Sequence, residues 1–138
     1  MDGPDRNAAL QRLEDGGVVA VLRGADPDTV VDVATALRDG GVTAFEITAD
    51  TPDATGMIAE LSASFDESEA IVGAGTVLAG GTARDVIAAG AEFVVGPTFD
   101  PEMVATCNRY GVPVAPGVFT PTEALTAYEA GADVVKVF

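Results

Sequence analysis

At 138 residues and 48% apolar content, the chain is long enough to bury a core as one domain, 1–138, and disorder is not its default state. Its 22 acidic and 7 basic residues give a formal net charge of −15, which excludes the basic patch that nucleic acid or an anionic membrane surface requires. With no histidine and one cysteine, Cys107, the chain has no His-based acid–base pair, no His-activated nucleophile, no His-ligated metal and no internal disulfide.

The opening segment, 1–17, is polar and acidic, without an apolar signal region, and no stretch approaches membrane-spanning length. The first strand is expected at 18–22 and a helix at 28–38, where Val30, Val31, Val33, Ala34 and Leu37 fall at helical spacing. A strand follows at Ala44–Thr48, then a helix at 52–64 carrying Met57, Ile58 and Leu61. Next come a strand at 70–73, a helix at 82–89 with Val86 and Ile87, and a strand at 93–95. The last elements are a helix at 101–110, a strand at 112–115, a helix at 120–130 and a strand at 134–138. Asp26-Pro27, Thr51-Pro52, Asp100-Pro101 and Thr120-Pro121 each set a capping side chain before a proline suited to a first helical turn. Gly40-Gly41, Gly90, Gly111 and Gly131 stand where helices should stop.

Strands without polar alternation, joined by helices, argue a parallel α/β sheet covered on both faces. Six βα units fit a doubly wound open sheet at this length. They also fit the first six units of a (β/α)8 TIM-type barrel, which typically takes about 250 residues. Length favours the open sheet; the candidate site residues favour the barrel.

The only lysine, Lys136, sits inside the apolar run of the last strand. An amine can form a Schiff base with a carbonyl, and desolvation can lower its pKa so that it attacks; arginine stays protonated and cannot. Lys136 shares a strand face with Val134 and Phe138, and Glu46 shares one with Ala44 and Thr48. Both lie near strand C-terminal ends, where parallel α/β folds hold their sites. A buried Glu46–Lys136 ion pair that only fixes register accounts for the same placement, as does a lysine whose amine extends to water. An arginine would serve a purely structural pair at least as well, so the lone lysine favours chemistry.

The string Gly73-Ala74-Gly75-Thr76 begins like a dinucleotide fingerprint, but Leu78 stands where the third glycine belongs, and the fingerprint is rejected. Arg23, just after the first strand, is either a solvated loop residue or a counter-ion for an anionic substrate. Scarce lysine amid many carboxylates fits a salt-rich cytoplasm that screens self-repulsion, with an ordinary acidic protein as the alternative.

Six segments in order carry a family resemblance. They are 19–23 (Val-Ala-Val-Leu-Arg), 41–48 (Gly-Val-Thr-Ala-Phe-Glu-Ile-Thr), 71–77 (Ile-Val-Gly-Ala-Gly-Thr-Val), 90–97 (Gly-Ala-Glu-Phe-Val-Val-Gly-Pro), 116–123 (Pro-Gly-Val-Phe-Thr-Pro-Thr-Glu) and 131–138 (Gly-Ala-Asp-Val-Val-Lys-Val-Phe). Together they resemble the class I aldolases that cleave 2-keto-3-deoxy-6-phosphogluconate and 4-hydroxy-2-oxoglutarate. The resemblance implies Lys136 as Schiff-base lysine and Glu46 as general acid–base. It maps Thr76 and Pro97 to the pyruvyl site, Phe138 to aromatic packing beside the imine, and Arg23 to an arginine common after the first strand. It implies a small anionic keto-acid substrate, no metal or organic cofactor, a cytoplasmic homo-oligomer of three subunits and a TIM-type barrel. Two features depart from the family pattern. Asp50 stands where members often carry a substrate-binding arginine, and the chain ends within the sixth strand, before two further βα units. An isolated chain of this length is expected to be inactive or poorly folded unless it oligomerises. An inactive fragment of that enzyme and a flavodoxin-like binding module are the alternative readings.

Overall fold

The computed structural model describes residues 5–138, so residues 1–4 of the polar opening segment lie outside it. The order is α1 (Arg6–Gly16), β1 (Val19–Leu22), α2 (Val30–Asp39), β2 (Ala44–Thr48), α3 (Ala54–Ser64), β3 (Ile71–Gly75), α4 (Gly80–Ala88), β4 (Val94–Val95), α5 (Pro101–Tyr110), β5 (Val114–Ala115), β6 (Gly117–Val118), α6 (Pro121–Glu129) and β7 (Lys136–Val137). β1 to β5 form one parallel sheet in chain order, and β6 pairs in parallel with β7.

That order decides between the two architectures. A doubly wound sheet reverses direction, which puts its first strand in the interior. Here β1 is the edge strand and each strand adds beside its predecessor, as in a barrel. The flavodoxin-like reading therefore falls. β2 and β3 are buried at every position, as strands covered on both faces should be.

α1 was not anticipated from the polar opening segment. Only Ala9 is buried along it, so apolar periodicity carries almost no signal. Its ends define it instead: Asp5 accepts from the Asn7 and Ala8 amides at 3.1 Å, and Gly17 closes it at φ 68°.

Asp100 and Thr120 cap α5 and α6 as expected, the latter through a capping box with Glu123. The other two expected caps do not form. Asp26 spends its carboxylate on the Asp28 amide and its carbonyl on the Thr29 amide, so a turn precedes α2. The Thr51 hydroxyl instead accepts from the Gly24 amide and hydrogen bonds to Thr48 Oγ1, and α3 begins three residues later.

The expected strand at 112–115 shortens to β5, and a further short strand that was not expected, β6, follows beyond Pro116. Proline has no amide proton to donate, so it breaks a ladder. The Ala115 carbonyl bonds the Gly96 amide on the β4 side, while the Pro116 carbonyl accepts from the Lys136 amide.

Two apolar layers flank the sheet. Phe45 and Ile47 join Met57, Ile58, Leu61, Val86 and Met103 under the helices. On the opposite, inner face Ala44, Ile71, Phe93 and Val95 pack against Ala9 of α1. α1 thus closes the N-terminal end of the inner face, and Glu46, on the same face as Ala44, lies further toward the C-terminal end.

Candidate active site

β2 aims Glu46 inward, and the neighbouring strand makes room for it. Glu46 is opposite Gly73 in the ladder, and a Cβ on Gly75 would stand 2.7 Å from Glu46 Cδ. A Cβ on Gly73 would meet the Phe93 ring at 2.5 Å. The two glycines of the 73–76 string therefore lie within a strand. They are the bare inner face of β3, over which a carboxylate and an aromatic ring are laid.

Gly75→Ala is expected to displace Glu46 and to destabilise the chain by about 1–3 kcal/mol, because the added methyl overpacks a buried face. Urea unfolding measures it; an unchanged midpoint would refute the packing role.

Glu46 is 4% exposed. Burial raises its pKa above the ordinary carboxylate value, and the positive charges of Lys136 and then Arg23 partly offset the rise. Lys136 therefore acts on Glu46 through space. Neither residue belongs to an ion pair among the described residues, so the register-fixing contact does not form.

Lys136 itself was expected in a buried strand. It is exposed, as are Val137 and Phe138, and among the described residues β7 pairs only with β6. Its Nζ stands 5.1 Å from the centroid of the Phe138 ring, a cation–π distance. Pro97, after β4, lines one cleft together with Phe99, Gly117, Val118 and Phe138.

The second group of candidate residues gathers at the ends of β1, β2 and β3. Arg23 pairs with Asp50, and its Nη2 donates to Thr76 Oγ1 at 2.9 Å. Thr76 has φ 54°, a left-handed conformation that a β-branched residue adopts only where its surroundings impose it. Such strain concentrates at functional positions.

The sequence singles out Arg23 and Thr76 as candidates but does not show what joins them. Asp50, which stands where the family often has an arginine, is the counter-ion of Arg23. Thr51 was read as a cap and instead ties the β1 loop to the β2 loop. Among the described residues no group of three His, Cys, Asp or Glu side chains could hold a metal ion, and no helix is long and apolar enough to cross a membrane.

A family model described as KDPG and KHG aldolase matches residues 10–138. The chain belongs to this aldolase family. It is 41% identical over 130 residues to a 2-dehydro-3-deoxy-phosphogluconate aldolase of Treponema pallidum, covering 94% of this chain and 60% of that one. A solved native KDPGal structure superposes with TM-score 0.83 at 35% identity, over 87% of this chain and 58% of that one. The KDPG aldolase of Legionella pneumophila, solved with pyruvate captured as a covalent carbinolamine, superposes with TM-score 0.76 at 30% identity, over 83% and 55% of the two chains. The chain thus spans about 60% of the length of the curated relatives it matches.

Proposed function

We propose that the protein is a class I aldolase. Its substrate on this reading is 2-keto-3-deoxy-6-phosphogluconate, 4-hydroxy-2-oxoglutarate or both, cleaved through an imine on Lys136. The observation that carries the proposal is a buried carboxyl, Glu46, within electrostatic reach of the sole lysine at the C-terminal ends of strands arranged as in a barrel.

The chemistry balances with these two groups and water. The unprotonated Lys136 amine attacks the C2 ketone, and the carbinolamine takes up a proton from solvent and loses water to give an iminium ion. The C4 hydroxyl proton passes to the Glu46 carboxylate, through water, as the C3–C4 bond breaks. Its electrons flow into the iminium, leaving an enamine and releasing an aldehyde. Glu46 returns the proton to C3, and water hydrolyses the new iminium to pyruvate and free amine, the released proton returning to solvent.

A raised Glu46 pKa suits a group that must both take and give a proton. Arg23 and Thr76 are assigned to the anionic substrate, and Pro97 and Phe138 to the walls beside the imine. No cofactor is assigned. A cytoplasmic trimer adapted to high salt belongs to the same reading, supported by the family and by the charge of −15.

Borohydride reduction in the presence of pyruvate tests it. The expected product carries one reduced pyruvyl group on Lys136, located by peptide mass mapping, and Lys136→Arg carries none. An unlabelled Lys136 in the unsubstituted chain would overturn the assignment.

A further inference from the structure

The Arg23 guanidinium is not free to meet a ligand. It is held between Asp50, two residues after β2, and Thr76, the residue after β3. The loops that carry the pair are fixed beneath it. Thr51, 5% exposed, accepts from the Gly24 amide at 2.9 Å and lies 2.8 Å from Thr48 Oγ1, which is fully buried. The Ala49 amide donates to the Gly75 carbonyl at 2.8 Å. Asp50 is thus presented to Arg23 by a framework rather than by a wandering side chain.

Arg23 and Asp50 are nevertheless each about half exposed, 56% and 52%, so the pair is open to exchange with solutes. An open ion pair is worth at most about 1 kcal/mol, so a competing anion can displace one partner. Glu46 lies within reach of the positive charges of Lys136 and Arg23, and Arg23 in turn carries Asp50.

We propose that Asp50 is a specificity-determining residue that occupies Arg23 in the empty site and must be displaced by the anionic end of the ligand. The proposal rests on the active-site reading above. Asp50 penalises ligands according to their negative charge, because it repels every anion that reaches Arg23. The penalty falls more heavily on a phosphate than on a carboxylate. The substrate class it favours is a keto acid that brings a single carboxylate to Arg23.

The test is an NMR titration following the Arg23 side-chain Nε–H and the Thr76 amide. Pyruvate is the first titrant and inorganic phosphate the second, with the unsubstituted chain compared with Asp50→Asn. Asparagine keeps the size of the side chain and removes its charge. At low ionic strength the pyruvate half-saturation concentration should fall roughly two- to fivefold in Asp50→Asn, the equivalent of losing one exposed pair. The fall should be larger for phosphate. Both differences should shrink toward none in 1 M salt, where the Debye length is about 3 Å.

Asp85→Asn is the control. It removes the same unit charge from another exposed pair, with Arg84, and is expected to leave both titrations unchanged. Equal half-saturation in the unsubstituted chain and Asp50→Asn would overturn the proposal. So would an equal gain from Asp85→Asn, a difference indifferent to salt, or anions that leave Arg23 unperturbed in both proteins. The titration needs no covalent step, so it decides the role of Asp50 even if borohydride leaves Lys136 unlabelled. Labelling with no effect of Asp50→Asn would defeat this inference alone.

Discussion

Asp133→Ala is expected to lower the stability of the chain by about 3 kcal/mol, the low end of what breaking a buried charge pair costs. Asp133 precedes β7 and is 11% exposed as a side chain. Its Oδ1 accepts from Arg6 Nε at 2.6 Å, and its Oδ2 accepts from Arg6 Nη2 at 2.6 Å and from the Val114 amide at 3.0 Å. Arg6 also donates to Asn108, whose own amide donates to the Gly131 carbonyl at 3.2 Å. One carboxylate therefore joins the first turn of α1, strand β5 and the loop that leads to Lys136, and Asn108 brings in α5. Alanine would strand a largely buried guanidinium and leave the Val114 amide without its acceptor. Arg6 keeps about a quarter of its side chain in water, which limits the loss. The check is urea unfolding, in which the midpoint should fall with the slope unchanged. Arg6→Ala combined with Asp133→Ala should cost clearly less than the sum of the two, because they remove one interaction. A loss under about 1 kcal/mol would place Asp133 among ordinary surface pairs.

Asp133 also marks the boundary of what could be read from the chain alone. The repeated strand, helix and glycine pattern is local chemistry, and it is legible because each junction carries its own marker. Gly90 and Gly131 do adopt the positive φ that stops a helix there. The inward placement of Glu46 follows from strand alternation alone. Partners distant in sequence are a different matter. Arg6 and Asp133 are separated by 127 positions, and nothing near either residue names the other. Arg23, Asp50 and Thr76 likewise meet only because three consecutive strands lie side by side and end together. Asp50 reads as a bare departure from the family's arginine because no local signal names Arg23 as its partner. Lys136 was misjudged for a related reason. An apolar run predicts burial only if something packs on both sides of it, and among the described residues β7 has β6 on one side alone. Pro116 separates β5 from β6, since it has no proton for the ladder.

Glu46→Gln is expected to slow proton transfer about 10²- to 10⁴-fold while leaving the amine chemistry in place, if the proposed roles hold. Glutamine matches the glutamate in shape, so it fits the space above Gly75 that the carboxylate fills. It cannot take the C4 hydroxyl proton or return one to C3. Exchange of the pyruvate methyl protons with deuterated solvent reads that second transfer directly and should drop by the full factor. Borohydride labelling of Lys136 should persist, which separates lost proton transfer from a lost site. The same substitution should stabilise the fold at neutral pH. Burial raises the folded-state pKa of Glu46 above its ordinary 4.5, so between the two values the folded chain binds more protons than the unfolded one. Its stability therefore falls as pH climbs through that window, and the full penalty persists above the raised pKa. Below about 4.5 the residue is neutral in both states and the penalty vanishes. The urea midpoint of Glu46→Gln should accordingly exceed that of the unsubstituted chain at neutral pH, and the gap should close on acidification. A variant both slower in methyl exchange and more stable at neutral pH is the signature of a carboxylate kept for chemistry at the expense of the fold. A variant that exchanges methyl protons at the original rate would remove Glu46 from the proton path.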